Sequence, residues 1–350
     1  INNSGTLQLD ATLTAAITSG TSTLGGLVSG NGILVKDGAG TLVVDGANTY
    51  SGGTTVNAGT LKLGNRTNNT ANVAGTTTLS GGNLSYDYNA GNGILGNITL
   101  TATSTITKLN GLYQQNLQYG TLNGGGQTLN IYVDTTAGTK PLYFNQTAGT
   151  SLGQVNILNG AVGEDGAGGT PLRNATINVS SGAQFMTYTS PTINNNITLN
   201  GGTGPDGNGA LWNESTSSGH TANYTGTITL ANATNSTIGN SISGIVISGQ
   251  VTGGGSLTKN GTGTLTFSGN NSYTGTTTIN AGTLSLGGSG TSTIAGNITI
   301  AGGELNYSNT TNNQIADTAN ITMSSGNLTM GARTETINSL ALSGGNLTIG

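Results

Sequence analysis

Residues 30–64 read GNGILVKDGAGTLVVDGANTYSGGTTVNAGTLKLG, and residues 253–287 read GGGSLTKNGTGTLTFSGNNSYTGTTTINAGTLSLG. The two stretches align without a gap at an offset of 223, and 21 of the 35 positions are identical. The shared pattern is G-x-L-x-K-x-G-x-G-T-L, then G-x-N-x-Y-x-G, then T-T-x-N-A-G-T-L-x-L-G. This is a duplication and not a by-product of composition. A shorter pattern recurs around it: LSGGNL stands at Leu79–Leu84 and again at Leu342–Leu347, with IAGGEL at Ile300–Leu305 and MSSGNL at Met323–Leu328 as close variants. The matched leucines are Leu42, Leu61 and Leu84 in the first half. In the second they are Leu265, Leu284, Leu305, Leu328 and Leu347, at steps between 19 and 23 residues. A unit of about 20 residues is too short for a helical hairpin repeat and fits one coil of a β-solenoid.

Local sequence supports the same reading. Segments such as Thr41-Leu42-Val43-Val44, Thr54-Thr55-Val56, Thr76-Thr77-Thr78-Leu79 and Asn297-Ile298-Thr299-Ile300 are short and rich in β-branched residues. They alternate apolar with small polar side chains and are bounded by Gly or Asn, which tolerate the backbone of sharp corners. No stretch carries the i, i+3, i+4, i+7 apolar spacing of a capped helix, so essentially no α-helix is expected. A lone coil cannot bury its Leu, Ile and Val. Stacked at the strand spacing of a sheet, coils of about 21 residues form a thin continuous core, roughly 16–17 of them in a chain of this length. Stacked Asn and Thr side chains add hydrogen-bonded ladders.

Composition narrows the class. Among 350 residues there are 62 Gly, 4 Pro and no Cys, which excludes collagen, disulfides and thiolate metal sites. Net charge is −4 with 8 Lys and Arg spread along the chain, so no basic stripe for nucleic acid exists. No run of ~18 apolar residues is present, so no membrane-spanning helix is expected. The chain begins at Ile1 without an initiator Met or a signal segment, which reads as a processed chain or an excised piece.

The two blocks resemble the autotransporter-associated β-strand repeat, also called the passenger-associated transport repeat. The resemblance is carried by Gly38, Gly40, Thr41, Leu42, Gly46, Asn48, Tyr50, Gly52, Thr54, Gly59, Thr60 and Leu61. Gly261, Gly263, Thr264, Leu265, Gly269, Asn271, Tyr273, Gly275, Thr277, Gly282, Thr283 and Leu284 carry it in the second copy. It implies a parallel, right-handed β-helix in an exported bacterial surface protein, and hence an extracellular location with a structural or adhesive role. No C-terminal translocator barrel is visible, so the chain resembles a passenger segment of a larger surface protein. The expected organisation is regular coils over 1–107, irregular and aromatic-richer coils over 108–225, and regular coils again over 226–350, in one continuous solenoid.

Residues 108–225 hold Tyr113, Tyr119, Tyr132, Tyr143, Phe144, Phe185, Tyr188, Trp212 and Tyr224, with His220, Glu164, Asp165, Asp206 and Glu214. Two readings compete: a sugar-binding belt, with Trp212, Tyr188, Glu164 and Asp165 as the ligand contacts, or degenerate coils whose aromatics pad the core. Gly201–Asp206 matches half of a calcium-binding nonapeptide but lacks tandem partners, and reads as a turn. Gly149-Thr150-Ser151-Leu152-Gly153 matches G-x-S-x-G, yet His220 is the sole histidine and no strand-to-helix elbow is expected. β-Helix carbohydrate cleavage needs paired carboxylates, and Glu164-Asp165 is the one adjacent acidic pair. No catalytic residue, cofactor or metal is therefore assigned, and the chain is expected to be a non-enzymatic shaft or adhesin. A carbohydrate-binding region in the central coils, and a β-helix carbohydrate-active enzyme, are the alternatives. Lys36 and Lys259 occupy one repeat position and read as solvated charges at a coil edge. Both chain ends are uncharged and repeat-competent, so the expected partners are a second copy stacked head to tail, covalent continuation in a longer chain, or surface glycans.

Overall fold

Three-residue strands with a central Thr and a closing apolar residue recur along the chain in a computed structural model. Among them are Thr54–Val56, Thr77–Leu79, Ile98–Leu100, Ile197–Leu199, Thr277–Ile279 and Ile298–Ile300. In each the outer two side chains are buried and the central Thr faces out. That is the period-two alternation of a strand with one covered face. The structure describes residues 2–3, 5–64, 73, 75–87, 93–94, 96–109, 115–118, 120–136, 138–144, 149–164, 172, 174–214, 219–287, 294–308 and 310–350. Among them there is no helix, and every strand pairing is parallel. The described residues make a β-solenoid of about 14 turns averaging about 21 residues.

The chain forms two compact units, Ile1–Ala175 and Thr176–Gly350. In the first, one ladder runs through Thr41–Val44, Thr60–Leu63, Asn83–Tyr86, Ser104–Lys108, Thr128–Val133 and Gln154–Asn159. A second runs through Leu13–Ala16, Leu34–Asp37, Thr54–Val56, Thr77–Leu79 and Ile98–Leu100. In the second unit, one ladder stacks Leu211–Asn213, Asn235–Asn240, Ser256–Asn260, Thr277–Ile279, Ile298–Ile300, Asn320–Met323 and Ser339–Leu342. Another stacks Thr221–Tyr224, Gly244–Ile247, Thr264–Phe267, Thr283–Leu286, Glu304–Tyr307, Asn327–Gly331 and Asn346–Ile349.

The leucine steps read from sequence are the register of these ladders. Leu42 pairs with Leu61, and Leu61 with Leu84. Leu265, Leu284, Leu305, Leu328 and Leu347 form one unbroken column. Side chains from Leu42 to Leu84, and from Leu265 to Leu328, are buried. Each such leucine contributes about 1.5–3 kcal/mol by leaving water. Coil length varies along the ladders. The step is 19 residues from Leu42 to Leu61, but 26 from Ile131 to Ile157 and 31 from Ile197 to Ile228. Asn side chains also bridge coils as expected: Asn97 Oδ1 accepts from Thr121 N at 3.0 Å, Asn196 Oδ1 from Thr227 N at 3.0 Å, and Asn297 Oδ1 from Asn320 N at 2.9 Å.

A column leucine and an outward threonine should therefore respond differently to truncation. Leu284→Ala is expected to lower unfolding free energy by about 2–5 kcal/mol, through lost burial plus a cavity. Thr278→Ala, one coil corner away on the solvent side, should stay within about 0.5 kcal/mol of the parent. Urea titration followed by circular dichroism separates the two.

Candidate functional site

Buried polar side chains recur at matching positions of the two repeat blocks. In the apolar column Ala15–Lys36–Val56, a lysine stands where its neighbours are apolar, and so it does in Ile238–Lys259–Ile279. Both lysines are fully buried. This corrects their reading as solvated edge charges. The signal was present in the alternation, since Leu34-x-Lys36 and Leu257-x-Lys259 place each lysine on the same inward face as the leucine before it.

A buried ammonium needs partners for its three N–H groups. Lys36 Nζ donates to Asp37 O at 2.8 Å, Gly38 O at 2.6 Å and Ala58 O at 3.0 Å. Lys259 Nζ repeats this with Asn260 O at 2.7 Å, Gly261 O at 2.8 Å and Ala281 O at 3.2 Å. Two acceptors belong to the lysine's own corner and the third to the next coil. Each lysine is thus a staple between successive corners. Burial pulls the pKa of Lys36 below the ordinary value and takes that of Lys259 down to about 7. A third buried lysine, Lys108, donates to Lys140 O at 2.7 Å and is lowered to about 8 by the same cause.

Two further contacts recur in both blocks. Tyr50 and Thr54 share a hydroxyl–hydroxyl bond of 2.5 Å, and Tyr273 and Thr277 one of 2.6 Å, all four side chains being buried. Burial pushes Tyr50 up to about 12 and raises Tyr273 as well. Asn48 Oδ1 accepts from Val28 N at 2.8 Å and Asn271 Oδ1 from Val251 N at 2.9 Å, tying each block to the coil before it. The corner itself requires glycine. Gly59 and Gly282 have φ of +64° and +61°, and a Cβ would lie 2.4 Å from Gly38 O and Gly40 O, or 2.4 Å from Gly263 O and 2.5 Å from Gly261 O. Gly40, Leu42, Tyr50, Gly59 and Leu61, with Gly263, Leu265, Tyr273, Gly282 and Leu284, are accordingly one structural set used twice.

The aromatic belt divides differently. Tyr143, Phe144, Phe185, Trp212 and Tyr224 are buried, whereas Tyr132 and Tyr188 are exposed. Tyr113, Tyr119 and Asp165 lie outside the described residues. Trp212 stands in the outward row Met186–Trp212–Gly239, yet is only 6% exposed. Its ring lies over Gly239, where a Cβ would come within 2.7 Å of Cζ3, and reaches Gly261, where the figure is 3.0 Å. Tyr188 follows the strand Gln184–Thr187 and is 42% exposed. Glu164 ends the strand Ala161–Glu164 in the first unit, fully buried, with Oε1 accepting from Leu172 N at 3.0 Å. Trp212 is thus covered and Glu164 buried, and Tyr188 is the one of the three described residues that presents a face to solvent. Asp206 closes a turn, with Oδ1 accepting from Gln184 Nε2 and Asn208 N, both at 3.0 Å, and Oδ2 from Asn208 Nδ2 at 2.9 Å.

The lysine staples make stability pH-dependent with a definite sign. Where a folded-state pKa is depressed, the unfolded chain binds more protons between the two values, so stability rises with pH across that window. For Lys259 the window runs from about 7 to the ordinary 10.5. Urea midpoints measured from pH 7 to 10 should climb in the parent relative to Lys259→Met, which has no titrating amine at that site. A parent that loses ground to the variant as pH rises contradicts the assignment.

Comparison with known sequences places this geometry. The passenger-associated-transport-repeat family model matches residues 34–63 and 257–286, the segments that carry the lysine, tyrosine and glycine set. A curated relative, the Adhesin BmaC autotransporter of Brucella suis biovar 1 (strain 1330), is 29% identical over 279 residues, 75% of this chain. The chain spans 7% of that adhesin's length. No solved structure matches. The protein is thus a parallel β-solenoid carrying two passenger-associated transport repeats, similar along most of its length to part of an autotransporter adhesin.

Proposed function

We propose that this chain is a structural and adhesive module of a bacterial surface protein, a shaft segment of the autotransporter-passenger kind, exported and without enzymatic activity. The observation that carries the reading is the pairing of two passenger-associated transport repeats with a solenoid in which Lys36, Lys259, Tyr50, Tyr273 and Glu164 each bond within the fold. Likeness to an adhesin over 75% of the chain supports it from an independent side. Displayed on the surface of a non-adherent bacterium, the chain should raise attachment to host matrix or to neighbouring cells. Full display with no change in attachment sinks the adhesive half. Turnover of an acidic or neutral polysaccharide, lost in Glu164→Gln, sinks the non-enzymatic half.

Carbohydrate contact in the central coils is a second reading, favoured by the exposed rings of Tyr188 and Tyr132. Glycan-array binding by the parent that disappears in Tyr188→Ala supports it, and unchanged binding removes it.

Self-association belongs to the same proposal. Ile321 and Met323 are covered by Leu340 and Leu342 of the following coil. Leu340, Leu342 and Ile349 are themselves 39%, 49% and 64% exposed. A further coil, from a second copy stacked head to tail or from continuing chain, would cover them as they cover their neighbours. Electron microscopy of the purified chain should show filaments that Leu342→Lys dissolves. Monodisperse parent particles overturn stacking.

A further inference from the structure

Three buried polar contacts recur at the same positions in both repeat blocks: the asparagine and lysine contacts bind successive coils together, and the tyrosine–threonine bond closes within one coil. In the second block Asn271 reaches back to Val251 N, Tyr273 bonds Thr277, and Lys259 reaches forward to Ala281 O. The first block does the same with Asn48 and Val28, Tyr50 and Thr54, and Lys36 and Ala58. Every contact spans 22 residues or fewer, so the loops closed are short and their entropic cost is small. Buried polar contacts of this kind are worth having only when all partners are in place, which makes the block cooperative. Each compact unit contains one such block.

We infer that the two blocks are the folding nuclei of the chain. Residues 28–63 form first in the unit Ile1–Ala175, residues 251–286 form first in the unit Thr176–Gly350, and neighbouring coils wind onto their two edges. In a solenoid each coil touches only its neighbours, so folding starts at the coil pair with the strongest interface and propagates from there. The buried staples mark those interfaces. The inference is independent of the adhesive reading.

Stopped-flow refolding of the full chain tests it, because the single tryptophan, Trp212, is buried against Gly261 of the second block and reports on that unit. Two variants remove the same chemical group from the same unit. Tyr273→Phe deletes the hydroxyl bonded to Thr277 inside the block. Tyr307→Phe deletes the hydroxyl that donates to Glu335 Oε2 at 2.6 Å outside it. A buried hydrogen bond formed in the transition state changes the refolding rate, and one formed later changes the unfolding rate. Tyr273→Phe should slow refolding roughly fivefold and leave unfolding unchanged, and Tyr307→Phe should speed unfolding with refolding unchanged. Tyr273→Phe acting on unfolding alone, or both variants dividing their effect alike, overturns the inference. Should Tyr273→Phe fail to refold, pulsed hydrogen exchange on the parent decides. First protection within 28–63 and 251–286 supports the nuclei, and first protection elsewhere refutes them.

Discussion

Residue-for-residue stacking of one coil on the next is the constraint on which everything else in this protein rests. A coil of about 21 residues has no interior of its own, and its Leu, Ile and Val are dry only because the neighbouring coil places an apolar side chain directly above them. Because side chains alternate across a strand, a slip of one residue would move every leucine of a coil from the core to the solvent face. The unbroken column from Leu265 to Leu347 shows how strictly that register is kept while the connecting loops vary in length.

Corners are where such a fold is weakest. Strand ladders satisfy the backbone between corners, but at the repeat-block corners several carbonyl groups turn toward the buried lysine. The repeat blocks answer this with an ammonium group whose three N–H bonds meet three of those carbonyls, two on one coil and one on the next. Taking the charge out of water is unfavourable, as the depressed pKa of Lys259 records. An apolar residue there would leave the carbonyls unpaired. The asparagine that reaches back to the previous coil extends the same device, and the tyrosine–threonine pair adds a buried bond within one coil. Together they turn a stretch of low hydrophobicity into a specifically joined stack.

This arrangement ties several reactive side-chain types into the fold. Groups that elsewhere supply acid, base or nucleophile are here bonded into corners and turns: Lys36, Lys259, Tyr50, Tyr273, Glu164 and Asp206. Outward positions of the short strands carry threonine, as at Thr55, Thr78, Thr99, Thr278 and Thr299. In the middle of the chain Phe144, Phe185 and Tyr224 are buried, and Trp212 is covered on the outward side.

The sequence by itself determined the β-solenoid, the coil length and the leucine register, because a period of about 20 residues with two-residue alternation has one way to bury its apolar face. Gly59 and Gly282 were visible in the sequence as one recurring repeat position, and the structure placed both at corners with φ of +64° and +61°. The destination of the polar residues was decided only by tertiary structure. Lys36 and Lys259 are buried because the carbonyl groups that accept their protons come partly from the next coil, at Ala58 and Ala281, 22 residues away. Trp212 sits in an outward row by alternation, and is covered only because Gly239 on the adjacent coil leaves room for its ring. Alternation along a strand tells which way a side chain points. What it meets there is set by a coil that the local sequence does not contain.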